Sequence, residues 1–107
     1  MPSLDCRDEI ILRGVMPNKE DVLSLCNFFY AFSDNTRLRI IILLTVKPLC
    51  VNDISQILSL NQTTLSHQLK ILKSLNIVDC DRNGKSIIYY IKNPSIQNVL
   101  DCTVDCI

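Results

Sequence analysis

Apolar residues recur at helical spacing along the first three quarters of this chain, then change to short strand-like runs. Leu4 to Val15 reads as a first helix that ends before Met16-Pro17. Asn18 is placed to cap a second helix, with Glu20 and Asp21 in its first turn where the helix dipole favours acids. Val22, Cys26, Phe29 and Phe32 follow at helical spacing and mark the stripe this helix is expected to bury, with Cys26 as core. The cap cluster Ser33-Asp34-Asn35 opens a third helix. Its unbroken run Ile40 to Leu44 predicts burial nearly all round, although the same run also fits a strand. Lys47-Pro48 ends this element, because proline disfavours helix in the residue before it.

The next stretch carries most of the information. Asn52-Asp53 is placed to cap a short helix with apolar positions Ile54, Ile57 and Leu58, and Ser59-Leu60-Asn61 reads as a turn. Asn61 then caps a helix to about Leu75, in which Leu65, Leu69 and Leu72 form a narrow apolar stripe. The opposite face holds Thr63, Ser66, His67 and Lys70. Two short helices joined by a tight turn, the second with a polar face, form a helix-turn-helix pattern. Two strand-like runs follow, Ile77 to Asp81 and Ser86 to Ile91. Asn83-Gly84 between them is a strong hairpin signal, since both residues tolerate positive φ. Arg82 and Lys85 flank that tip as a wing would place its cations, and Asn93-Pro94-Ser95 starts a last helix.

The expected architecture is a mainly α fold with a small β-hairpin (α+β), a winged helix-turn-helix. One domain spans residues 1–107, with the helix-turn-helix at about 52–75 and the wing at about 77–92. The first and last helices, about 4–15 and 94–107, carry Ile10, Ile11, Leu12, Ile96, Val99, Leu100 and Val104. That is more apolar surface than a small core hides, which predicts a two-fold homodimer.

Charge sharpens the picture. The chain is neutral overall, yet residues 61–92 hold Lys70, Lys73, Arg82, Lys85 and Lys92 against only Asp79 and Asp81, while residues 1–34 are net acidic. A basic region on a neutral chain suits phosphate, and it equally suits a solvated face. No apolar run approaches the ~20 residues a bilayer helix needs, and charges at Asp5, Arg7, Asp8 and Glu9 occupy the place of a secretory apolar segment, so a cytoplasmic protein without a membrane partner is expected. One histidine, no glycine-rich loop and no carboxylate pair argue against an enzyme.

Four blocks of sequence resemble one family in order and spacing. Phe32 to Ile40 resembles its L-S-D-P-T-R-L-R-I, Leu49 to Ile54 its L-C-V-C-D-L, Gln62 to Lys70 its Q-S-T-V-S-H-H-L-K, and Asn83-Gly84-Lys85 with Tyr89-Tyr90 its wing ending. The family is the arsenic-repressor (ArsR/SmtB) family of metal-sensing winged-helix repressors. The resemblance implies a homodimer that binds double-stranded operator DNA and releases it on inducer binding or thiol oxidation. Gln62, Thr63, Ser66, His67 and Lys70, with Arg82 and Lys85 of the wing, are the expected DNA-binding residues.

Six cysteines and no C-x-x-C pair argue against a zinc ribbon. The resemblance places Cys50 and Asp53 at one family sensor site, to which Cys6 from the other subunit is suited, but Asn52 stands where a second thiolate belongs. The Asp/His zinc site of the family has no match here. Cys102 and Cys106 lie at i, i+4 on one face of the last helix, a spacing suited to part of a thiolate site for As(III), Cd²⁺ or Pb²⁺. The candidate metal ligands are therefore Cys102, Cys106, Cys6 and Cys50, and Cys80 reads as structural. A redox-sensing repressor, or a DNA-binding protein without inducer, remains the alternative.

Overall fold

The computed structural model describes residues 3–104. Helices α1 (Cys6–Val15), α2 (Lys19–Phe32) and α3 (Asn35–Val46) come first, followed by strand β1 (Leu49–Cys50). Helices α4 (Val51–Leu58) and α5 (Gln62–Ser74) then lead into strands β2 (Val78–Asn83) and β3 (Ser86–Ile91), and α6 (Ser95–Val104) closes the chain. The Ile40 to Leu44 run is thus helix rather than strand.

Local chemistry explains most of these boundaries. Asp5, Asn18, Asp34 and Asn61 are N-cap residues whose side chains accept from the backbone N–H three residues on, at 2.8, 2.8, 3.0 and 2.7 Å. Each bond satisfies one of the donors that a helix start leaves without an intrahelical partner. Helix α4 departs from expectation. Its cap is Cys50, with no side-chain cap bond, rather than Asn52-Asp53. The reason is β1, a strand the local pattern did not announce, which delivers the chain into the helix directly at Cys50.

The sheet is antiparallel with order β1-β3-β2. Leu49 pairs with Tyr89 and Cys50 with Ile88, while Val78 through Asn83 pair with Ile91 through Ser86. One core joins α2, α3, α4, α5, the sheet and α6 through Ala31, Ile40, Ile41, Leu44, Ile54, Leu58, Leu65, Leu69, Leu72, Ile77, Val78 and Ile96.

Three expectations about faces need correction. Helix α3 buries Ile40, Ile41 and Leu44 but leaves Ile42 46% exposed and Val46 exposed, so it is one-sided rather than buried all round. In α2 the buried face is Ala31 with Phe28 and Phe32 packed beside the core, while Val22, Cys26 and Phe29 lie exposed. The face is set by α3, against which the Phe28 to Phe32 turn packs; Phe28 also meets Phe32 and Phe29 at ring separations of 5.2 and 5.7 Å. Ile96, expected on a dimer face, is instead fully buried in the core of its own chain.

The radius of gyration is 18.3 Å, well above the ~13 Å of a compact chain of this length. Helix α1 explains much of the excess, because it contributes no buried residue. Leu4, Ile10, Ile11, Leu12, Val15 and Met16 along it are all exposed.

The contrast between packing and capping in α5 is testable. Leu69→Ala, at a fully buried position, should cost about 2–5 kcal/mol. Asn61→Ala, which removes the cap bond to Thr64, should cost about 1 kcal/mol. Urea unfolding at one fixed protein concentration checks both; losses of equal size would show that α5 is not held chiefly by its leucine stripe.

Candidate nucleic-acid interface

The turn between α4 and α5 is closed by Ser55. Its hydroxyl donates to the Leu60 carbonyl, and the Leu60 N–H donates back to the Ser55 carbonyl at 3.1 Å. Ser59 takes the left-handed conformation that a glycine usually supplies, at φ 55°. With the turn so fixed, Leu65, Leu69 and Leu72 enter the core, and the opposite face of α5 has to point out. Gln62, Thr63, Ser66, His67 and Lys70 are all exposed and together line one shallow groove of about 430 Å³. Every one of the five carries a hydrogen-bonding tip, and none is a carboxylate that would repel phosphate.

The wing meets this face. Asn83 belongs to β2 and pairs with Ser86, so the two loop residues are Gly84 and Lys85 rather than Asn83 and Gly84. Positive φ falls on Gly84 alone, at 65°, the pattern of a II′ turn with glycine first. Arg82 and Lys85 are both exposed at the tip. A second groove, of about 260 Å³, runs between Cys50, Val51 and Asn52 at the start of α4, Gln62 of α5, and Lys85, Ser86 and Ile87 of the wing. Within it the Gln62 side-chain amide donates to Asn52 Oδ1 at 3.3 Å. Gln62 lines both grooves, so the outward face of α5 adjoins the Lys85 side of the wing. Outward amides, hydroxyls, an imidazole and an ammonium on a helix, beside a basic hairpin, are the means to read base edges and hold phosphates.

The cysteines are spread widely. Cys6 opens α1 and is exposed, Cys50 sits half-buried where β1 meets α4, and Cys102 is exposed on α6. Cys106 lies outside the described residues. Among the described residues no three His, Cys, Asp or Glu side chains gather as a metal cage within one chain. Asn52, at the place of the missing thiolate, is engaged with Gln62 instead. Cys80, half-buried in β2, accepts from Lys73 Nζ at 3.4 Å, and Asp79 lies 4.0 Å from the same ammonium. The pKa of Lys73 is raised, first by the hydrogen bond to Cys80 and its charge, and that of Tyr89 is raised chiefly by burial.

One buried charged side chain escaped the sequence reading. Arg37 is buried on α3, 6% exposed, and reaches both α2 and α5. The signal was present: positions 37, 40, 41 and 44 share a helical stripe, so an arginine was already on the inner face.

Comparison with known proteins adds relatives. The profile of the family described as bacterial regulatory protein, arsR family, matches residues 34–79. The chain is 40% identical over 86 residues to the cadmium resistance transcriptional regulatory protein CadC of Listeria innocua, covering 79% of this chain and 72% of that one. It is 32% identical over 91 residues to a transcriptional repressor SmtB homolog of Synechocystis sp., covering 82% and 69%. Among solved structures, the homodimeric winged helix-turn-helix DNA-binding domain Mb0332 of Mycobacterium bovis has a TM-score of 0.74 at 23% identity, over 86% of this chain and 87% of that one. The fold is therefore the winged helix-turn-helix.

Proposed function

The chain belongs to the arsR family of bacterial regulatory proteins, and on that premise we propose that it is a sequence-specific transcriptional repressor released from operator DNA by a thiophilic metal or metalloid ion. The observation that carries the DNA half is the pair of adjoining grooves, shared through Gln62, that the outward face of α5 and the Lys85 side of the wing line. Gln62, Thr63, Ser66 and His67 read base edges in the major groove, and Lys70 lies nearer the backbone. Arg82 and Lys85 take phosphate or the minor groove. The relatives are named as transcriptional regulators, and no enzymatic role is assigned. Among the described residues no helix is long and apolar enough to cross a membrane, which is consistent with action in the cytoplasm.

The working form is a homodimer. Ile10, Ile11 and Leu12 on α1, with Leu23 and Phe29 on α2, are exposed apolar side chains that one chain leaves uncovered. A second copy related by a two-fold axis covers them and sets two copies of α5 about 34 Å apart, one DNA turn.

The inducer site uses thiolates, since cysteine is the plentiful soft ligand and the sole histidine lies on the DNA-reading face. Cys102 and Cys106, with Cys6 and Cys50, are the ligands, drawn from both subunits of the proposed dimer. As(III), Cd²⁺ and Pb²⁺ suit this donor set, and cadmium resistance is named for one relative. A soft ion bound there draws thiolates of two subunits together, and this shifts the dimer away from its DNA-competent form.

Three measurements test the reading. Arg82→Ala or Lys85→Ala should weaken binding across all sequences and lower the salt slope by about one, whereas Ser66→Ala and His67→Ala should each remove about 1–3 kcal/mol of base discrimination. Unchanged operator affinity in the combined Ser66/His67/Lys70 alanine variant sinks the assignment of α5. Sedimentation at micromolar concentration should show a dimer, and a monomer there overturns the proposed assembly. Finally, Cys102→Ser/Cys106→Ser should bind operator yet fail to release it when Cd²⁺ is added. A normal response in that variant moves the sensor to Cys6 and Cys50.

A further inference from the structure

Arg37 is the only charged side chain buried among the described residues, and neither base reading nor thiolate sensing uses it. It stands on the inner stripe of α3 beside Ile40 and Ile41, where a guanidinium loses its water and needs replacement partners. Among the described residues no carboxylate supplies them: Asp34 accepts from the Arg37 backbone N–H at 3.0 Å as the helix cap, and the guanidinium pairs with no acid there. What it has instead comes from two other helices. Nη1 donates to Gln68 Oε1 of α5 at 3.3 Å, and Nη2 donates to the Tyr30 carbonyl of α2 at 3.3 Å. The Tyr30 ring lies 4.6 Å from Cζ, a cation–π contact, and Nε is buried without a partner.

This arrangement is a poor way to gain stability and a good way to gain direction. Leucine packing between α5 and α3 is non-directional, so Leu65, Leu69 and Leu72 set which side of α5 faces in without any one bond that fixes its final rotation. A planar guanidinium with fixed donor directions does supply such a bond. Gln68 lies between His67 on the outward face and Leu69 in the core. Holding its side chain therefore trims the rotation of α5 within the orientation that the leucines set. The other arm of the fork refers that setting to the last turn of α2, next to Phe29 on the apolar face that the proposed second copy covers.

We propose that Arg37 is a positioning residue for operator recognition, fixing the rotation of α5 through Gln68 and referring it to α2 through Tyr30. The inference rests on the DNA-binding reading above. It predicts that breaking the fork costs sequence discrimination rather than general affinity, because wing and backbone contacts remain.

The test uses the full-length protein and two duplexes, one selected by the wild-type protein from a random-sequence pool and one scrambled. Binding is measured over a range of salt concentrations, well below the unfolding midpoint of each variant. Gln68→Leu removes the acceptor, Arg37→Lys keeps the charge but cannot bridge both partners, and Gln68→Glu keeps an acceptor at similar reach. The first two should lose on the order of tenfold in the ratio of selected to scrambled affinity, with the salt slope unchanged, and Gln68→Glu should recover most of that ratio. A ratio equal to wild type in both Gln68→Leu and Arg37→Lys, with only the unfolding midpoint lowered, overturns the proposal and leaves DNA binding standing. If the wild-type protein selects no sequence at all, the DNA-binding reading fails and the proposal falls with it.

Discussion

Helix α3 offers one apolar face, Ile40, Ile41 and Leu44, and α2, α4, α5 and β3 all pack on α3. That shared floor determines what α5 can show to the outside. Each fully buried leucine is worth about 1.5–3 kcal/mol, so turning Leu65, Leu69 and Leu72 away from α3 is prohibitive. The side chains opposite them contribute little to folding and are correspondingly free to serve recognition. Directional bonds at the ends complete the constraint. Asn61 fixes where α5 starts, Ser55 fixes the turn before it, and the Ile77 N–H to the Leu72 carbonyl, at 3.0 Å, fixes how the chain leaves toward β2.

What the sequence made legible was what is encoded locally. A cap bonds three residues ahead and a helical stripe repeats within a turn, so Asn18, Asp34, Asn61 and the α5 leucines could be placed without knowledge of the rest. The outward set Gln62, Thr63, Ser66, His67 and Lys70 followed from that same period. Features set by distant partners were not legible. Strand β1 is two residues long and exists because β3 pairs with it. In α2, both 22/26/29/32 and 28/31/32 have helical spacing, and only the contact with α3 chooses between them. Ile96 looked like surplus apolar surface because the core that accepts it is built from residues far earlier in the chain. At the wing tip, strand register rather than residue type decides that Gly84 and not Asn83 takes positive φ.

The proposed sensor thiols pose a different difficulty, since the i, i+4 spacing of Cys102 and Cys106 says nothing of what stands opposite them. Cys50 illustrates the limit within one chain. It caps α4 at the end of β1, and the neighbouring Asn52 amide is committed to Gln62 on α5. A thiolate site there draws its remaining ligands from elsewhere. That same Asn52–Gln62 contact joins the first turn of α4, beside Cys50, to the first residue of α5.

In the proposed dimer, helix α1 ties assembly to sensing. It is 10 residues long and buries nothing in its own chain, and helices shorter than about 12–15 residues are marginal in water on their own. The ion pair along it, Arg13 to Glu9 at 2.7 Å, is exposed, and such pairs contribute little. Stability for α1 must therefore come from covering Ile10, Ile11 and Leu12, which in the proposed dimer is the role of the second copy. Cys6 is the first residue of this helix, so its thiol has a defined position only when α1 is docked. An ion held by Cys6 and by a cysteine of the other subunit binds the docked arrangement better than the undocked one. By linkage, whatever strengthens docking strengthens ion binding by the same factor.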